Sequence, residues 1–244
     1  MNFPTNVPVN ITLLGAGGTG GHAAPHLYRL LRSLGRPARL TVCDGDLVEE
    51  KNLARQNFIA QDLGRNKARV LAERYAGALG METCYVPEYV ECEERLAELV
   101  RPEKTSPGRE AEKTLSLLIG CVDNNRSRRM CHGVFTASDS LVYVDSGNGE
   151  STGQVVCGIR QGGKTVFPPV GELYPDVLEE TDRFPSELSC AEAAVSAPQS
   201  IAANVLAAAA ITSFAYGILV LGKLETGSAS FSAASLNMRA ARRP

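Results

Sequence analysis

The sequence predicts an α/β fold, a Rossmann-like, doubly wound and mostly parallel sheet with additional strands toward the C-terminus. Three observations predict it. Short β-branched and apolar runs recur at Val9–Leu14, Ala38–Cys43 and Leu115–Val122, helix-period apolar segments separate them, and a glycine-rich turn follows the first run. Val9–Leu14 is broken only by Asn10 and stops at Gly15, as a buried strand does. The turn Gly15–Gly21 opens a helix carrying Leu27, Leu30, Leu31 and Leu34 on one stripe. Pro25 should kink that helix, although Gly21, four residues back, softens the steric clash. Ala38–Cys43 is the second strand, and Asp62 is expected to cap a helix running to about Leu79. Thr83–Val86 is a weaker third strand and Leu115–Val122 a strong fourth, with Leu141–Asp145 and Gln154–Ile159 after them. Residues 101–114 are almost devoid of apolar side chains and read as a solvated surface loop. The tail, 227–244, is small and polar, either a partly docked strand or loose. These elements fit one domain over 1–244.

Composition narrows the function classes. A chain of 244 residues is long enough to bury about 70–75% of its extended surface. Its 25 basic and 27 acidic residues leave a net charge of −2, so no global positive field draws it to nucleic acid or an anionic membrane. Seven cysteines without a C-x-x-C pair do not make a disulfide framework, and the N-terminus lacks a basic then apolar leader. A reducing, cytoplasmic compartment is expected. Val205–Leu221 is nearly all apolar, but it falls short of the roughly 20 residues of a membrane span and has no flanking Arg/Lys clusters or Trp. It reads as a buried core or interface helix.

The glycine turn contains G-x-G-x-x-G at Gly15, Gly17 and Gly20, with Gly18 between. Between a strand and a helix, that spacing permits a tight turn, close approach of backbone to ligand, and a helix N-terminus suited to phosphate. Asp44, at the end of the second strand, is placed to accept from a ribose hydroxyl. Thus far the pattern suits a NAD-dependent oxidoreductase. The segment Asp44-Gly45-Asp46 through Asn52-Leu53-Ala54-Arg55-Gln56 carries more charge and amide than a dinucleotide needs. Lys67 sits near a helix start, where a cation costs roughly 0.3–1 kcal/mol against the macrodipole unless an anion lies nearby. Asp123 directly follows the fourth strand. Two cations with a carboxylate suited to Mg²⁺ describe a triphosphate better than a dinucleotide.

Together G-x-G-G-x-G, D-x-D-x-V-x-x-x-N-L-x-R-Q, Lys67 and the V-D-N of 122–124 resemble the ThiF/MoeB/HesA family, relatives of the ubiquitin-activating enzymes. The resemblance covers about residues 9 to 225. The Asp145–Val155 and Ser189–Asn204 segments resemble a bacterial subgroup found in PRTRC gene clusters. The resemblance implies ATP-dependent adenylation of the C-terminal carboxylate of a small β-grasp protein, with thioester or sulfur transfer as a later step. It implies that Gly15, Gly17, Gly18 and Gly20 cradle the nucleotide and Asp44 holds the ribose, with Asp46 beside it. Asn52, Arg55, Gln56 and Lys67 would surround the phosphates, and Asp123 would hold Mg²⁺. Cys190 resembles a position where some members carry a thiol that bonds the activated partner.

Two departures bear on that reading. The structural zinc many members hold needs two C-x-x-C pairs, so no zinc is expected. The arginine that members send from an N-terminal helix into the neighbouring subunit has no counterpart before the first strand. Arg126, Arg128 or Arg129 would have to substitute, or the chain is a catalytically silent nucleotide-binding partner. The helix from about Gln199 to Leu221 resembles a segment at the family's core and dimer interface, and a homodimer is expected. An acceptor other than a protein, such as RNA or a small acid, is compatible with the same nucleotide site.

Overall fold

Strand β1 (Val9–Leu14) is buried along its whole length, which requires neighbours on both sides and cover on both faces. In the computed structural model, which describes residues 1–101, 114–179, 182–187 and 199–240, β1 pairs in parallel with β2 (Ala38–Cys43) on one side and β4 (Leu115–Gly120) on the other. β3 (Cys84–Val86) extends the sheet beyond β2, and β5 (Leu141–Asn148) beyond β4, both in parallel. The parallel half therefore has the order β3-β2-β1-β4-β5, the arrangement of a Rossmann-like sheet.

Helices α1 (Gly18–Ser33), α2 (Lys67–Leu79) and α6 (Ile201–Leu219) share one apolar core with the sheet. α3 (Glu93–Val100), α4 (Asn125–Ala137) and the short α5 (Val170–Leu173) share a second core that includes Leu118 and Tyr143. Long and apolar enough by composition to cross a membrane, α6 instead packs against α1, β5 and β6 (Thr152–Gln161). Its one buried amide is Asn204.

The sheet changes character after β5. A short turn joins β5 to β6, too short for a helical crossover, so the two strands run antiparallel from Leu141↔Arg160 to Asn148↔Gly153. β7 (Lys164–Phe167) and β8 (Ser228–Ser232) both pair with β6, and β9 (Asn237–Ala240) pairs with β8, all antiparallel. The described part of the polar tail is thus two strands of the sheet. Most of the 101–114 loop lies outside the described residues.

One sequence expectation is corrected. Asp62 does not cap α2; Asn66 does, its side chain accepting the Arg69 N–H at 2.9 Å. Gly64, at φ 75°, turns the chain between them. Asp62 ends a separate turn, Ala60–Asp62, where its carboxylate accepts the Ile59 N–H at 2.9 Å and pairs with Arg74 of α2 at 2.5 Å. The carboxylate is already committed, and the next side chain able to accept, Asn66, takes the cap. Arg74 also donates to the Asn57 carbonyl at 3.2 Å and so fastens α2 to the loop carrying Asn52–Gln56. Arg74→Met would leave Asp62, 2% exposed, a buried carboxylate with only the more distant Arg65, at 4.0 Å, as a cation. Such a loss costs about 3 kcal/mol, to be read as a lower urea midpoint at unchanged slope.

Candidate active site

The carboxyl ends of β1, β2, β4 and β5 surround a cleft of about 880 Å³, at the point where the chain leaves β1 for β2 on one side and β4 for the other. Open α/β sheets bind ligands at this place. Gly15 makes the turn with φ +94°, and a Cβ there would stand 2.5 Å from the Cys121 carbonyl oxygen, so glycine is required on both counts. Gly17 and Gly18 line the cleft where α1 begins. Among the described residues no side chain caps that helix, and no acid lies in its first turn, so its first N–H groups and positive dipole end face the cleft. Gly20, expected from the resemblance to cradle the nucleotide, is not among the residues lining the cleft and has the packing role of the motif's third glycine. It packs against the Gly15 carbonyl, behind the wall.

Asp44 ties the two strand ends together. One oxygen accepts the Ala16 N–H at 2.6 Å and the other the Asp46 N–H at 2.8 Å. Burial, then the charge of Asp46, pushes its carboxyl up to about 6, against the pull of Lys67 and these two N–H groups. Asp46 is 2.7 Å from the Lys67 ammonium through one oxygen and accepts the Tyr89 hydroxyl on the other. Burial works to raise Asp46 as well, but Lys67 and the hydrogen bonds outweigh it, and its carboxyl is held below the usual range. Lys67, 5% exposed, thus has the anion that its helix-start position demands.

Asn52, Arg55 and Gln56 also line the cleft. The Asn52 side-chain oxygen accepts the Glu49 N–H at 2.8 Å, so part of its work is to shape the loop. Arg55 reaches Gln199, before α6, at 3.4 Å. Gln56 is buried with its side-chain oxygen unpaired among the described residues, and the Ser146 hydroxyl, on β5, is in the same condition. Two buried polar atoms lining one cleft, without partners among the described residues, fit a polar ligand. Asp123 stands exposed at the mouth, and Asn124 caps α4 by accepting the Ser127 N–H at 2.7 Å.

The arginines after Asp123 divide their duties. Arg128 donates to the Val122 carbonyl at 2.8 Å and to Asn125 at 3.0 Å, with its Nε 3.4 Å from Asp145, a buried carboxyl raised by burial and held by Tyr143. It braces the wall. Arg126 pairs with Glu187 at 3.2 Å and lies over the Phe184 ring, away from the cleft lining. Among the described residues, Arg55, Arg128 and Arg183 are the arginines lining the cleft. Cys190 lies outside the described residues.

Sequence reasoning missed Tyr89, Arg183 and the amide cluster at the start of α1. In that cluster Thr19 donates to Asn148 at 3.1 Å, and Asn148 to Asn204 at 2.9 Å. A lone amide in an apolar helix was a readable signal for Asn204; Tyr89 carried none.

The model of the ThiF family matches residues 8–243, and the chain belongs to that family. No curated protein matches it. Among solved structures it is similar to PaaA, with 18% identity and a TM-score of 0.64 over 96% of this chain and 64% of that one. It is similar to E. coli MccB solved with ATP, with 16% identity and a TM-score of 0.62 over 98% of this chain and 64% of that one. A third is the microcin C7 biosynthetic enzyme MccB in complex with N-formylated MccA, at 15% identity and a TM-score of 0.62, covering 98% and 65%. At such identities the likeness establishes the fold. The chain spans 64% of the length of PaaA and of MccB solved with ATP.

The Asp44–Asp46–Lys67 cluster can be tested without any ligand. In a carboxyl ¹³C NMR titration Asp44 should show a midpoint near 6. Lys67→Met removes a cation that lowers it, so the midpoint should rise.

Proposed function

For a ThiF-family chain with this cleft, we propose ATP-dependent adenylation of a carboxylate, the acceptor being the C-terminus of a small β-grasp protein. The observation that carries the reading is the Asp44–Asp46–Lys67 cluster beside the uncapped start of α1, with Arg55 and Gln56 in the same wall. A dinucleotide needs the turn and Asp44; it has no use for a buried lysine and the N-L-A-R-Q loop. The fold-level similarity to MccB solved with ATP supports the same choice of nucleotide. The β-grasp acceptor rests on the family resemblance of the sequence motifs.

In this reading an oxygen of the acceptor carboxylate attacks the α-phosphorus of ATP. The bond from that phosphorus to the oxygen bridging to the β-phosphate breaks, pyrophosphate leaves with the electron pair, and an acyl-adenylate remains. No proton need move, so the protein's task is positioning and charge neutralisation. Gly17 and Gly18 offer backbone at the start of α1, and Asp44 accepts from the ribose. Asn52, Arg55, Gln56 and Lys67 surround the phosphates. Asp123 would hold Mg²⁺. Exposed at the mouth, and with no cluster of three metal-ligating side chains among the described residues, it suits an ion that takes most of its ligands from phosphate and water. Mg²⁺ there would draw charge from the phosphate oxygens.

The outer face of α6 exposes Ile201, Val205 and Tyr216 in one stripe, continued by Val220 at its C-cap, and we assign this face to a homodimer. Val205→Glu with Tyr216→Glu should then yield monomers in sedimentation equilibrium; an unchanged mass would end that assignment.

Nucleotide choice is checked by thermal shift. Mg-ATP at about 100-fold over its Kd adds about 2.7 kcal/mol, a rise of roughly 5–10 °C for a chain of this size. Lys67→Ala should lose the rise, and both Lys67→Ala and Asp123→Ala should lose ATP–pyrophosphate exchange. A rise with NAD⁺ alone would replace this reading with an oxidoreductase. Binding without exchange in the wild type, acceptor supplied, would make the chain a silent partner.

A further inference from the structure

Tyr89 belongs to none of the sequence motifs, yet it lines the cleft beside Asp44 and Asp46. It lies in the connection from β3 to α3. Its ring occupies the space a side chain at Gly45 would need, for a Cβ there would come within 2.7 Å of the ring carbons. The absent side chain between the two aspartates is thus what lets an aromatic ring lie against the backbone. The ring's position brings the hydroxyl to Asp46, where it donates to Oδ1 while Lys67 donates to Oδ2 at 2.7 Å.

Each oxygen of Asp46 therefore has its own donor, supplied by separate parts of the chain. Rotating the carboxylate toward either donor would break the bond to the other. Lys67 is nearly inaccessible to water and depends on Asp46 for its partner. The charged and titratable groups facing Asp46 are Lys67, Tyr89, Asp44 and Lys51. Tyr89 is the neutral donor among them.

We propose that Tyr89 is a positioning residue for the adenylation site: its hydroxyl fixes the orientation of Asp46 and, through it, the place of the Lys67 ammonium. The hydrogen bond also draws charge from the carboxylate, leaving Lys67 less tightly held and able to serve a phosphate. The purpose rests on the function proposed above; the three-residue arrangement does not.

Two substitutions separate the hydroxyl from the ring. Tyr89→Phe keeps the ring over Gly45 and removes the donor, whereas Tyr89→Leu removes both. In the nucleotide-free protein, Tyr89→Phe should raise the Asp46 midpoint in a carboxyl ¹³C titration, because the ionised form loses a donor. By calorimetry at pH 7 it should weaken Mg-ATP binding about five- to tenfold. In the Lys67→Ala background, titrated at the higher Mg-ATP concentrations that its weakened binding requires, the same substitution should add nothing, since the effect passes through Lys67. An unmoved Asp46 midpoint, or losses that add across the two substitutions, would overturn the inference. A raised midpoint in a wild-type protein that binds no Mg-ATP would uphold the positioning of Lys67 and remove the adenylation reading instead.

Discussion

A single buried carboxylate organises the cleft. Asp44 accepts one N–H from the turn after β1 and one from its own loop, so the ends of two parallel strands are tied by the same side chain. A second tie joins the start of α2 to the same loop, through the side chain of Asn66 and the backbone of Lys67. The Asn66 amide donates to the Asp44 carbonyl at 2.8 Å and to the Asp46 carbonyl at 3.1 Å, and the Lys67 N–H donates to the Asp46 carbonyl at 2.9 Å. The start of α2 is therefore fastened to the end of β2 by its cap residue, which is how a lysine distant in sequence comes to face an aspartate. The cost is a carboxyl driven up by its own burial, a perturbation of the kind that collects at functional sites.

The opposite wall is built by a different device. Arg128 joins α4 to the carbonyl of Val122 and to Asp145 on β5, so the turn carrying Asp123 rests on a buried ion pair. A guanidinium suits this task because its fixed fork of donors can address several acceptors at once. One wall is thus set by a carboxylate that gathers N–H groups, the other by a cation that gathers carbonyls. The α1 N-terminus lies between them, without a side-chain cap among the described residues.

Much of this was legible in the sequence where the information is local. The run of β1, the glycine turn and Asp44 were readable because each is a short pattern with one physical meaning, and the parallel half of the sheet followed from their alternation with helices. What stayed hidden depends on partners far apart in the chain. Asp62 has the chemistry of a helix cap, and only its pairing with Arg74 shows that its carboxylate is taken. Three arginines after Asp123 looked equivalent, yet Arg128 turns inward to Asp145 while Arg126 meets Glu187. The reversal at β6 lay in the shortness of a connection, which a reading made strand by strand passes over. Tyr89 meets Asp46 across a sequence separation that no motif spans.

The two ends of the sheet share a property. Among the described residues the path of strands begins at β3, three residues long, and finishes at β9, Asn237–Ala240, exposed throughout with Arg239 among its residues. The strands between them are longer, and β6 has ten residues. A terminal strand offers a row of unpaired peptide groups to any passing chain, and brevity with a charged side chain is a common defence. The β3 edge is guarded by brevity, and the β9 edge carries the exposed charge of Arg239. The hazard would therefore appear not in the cleft or the core but wherever a change lengthened the outermost strand or took away its charge.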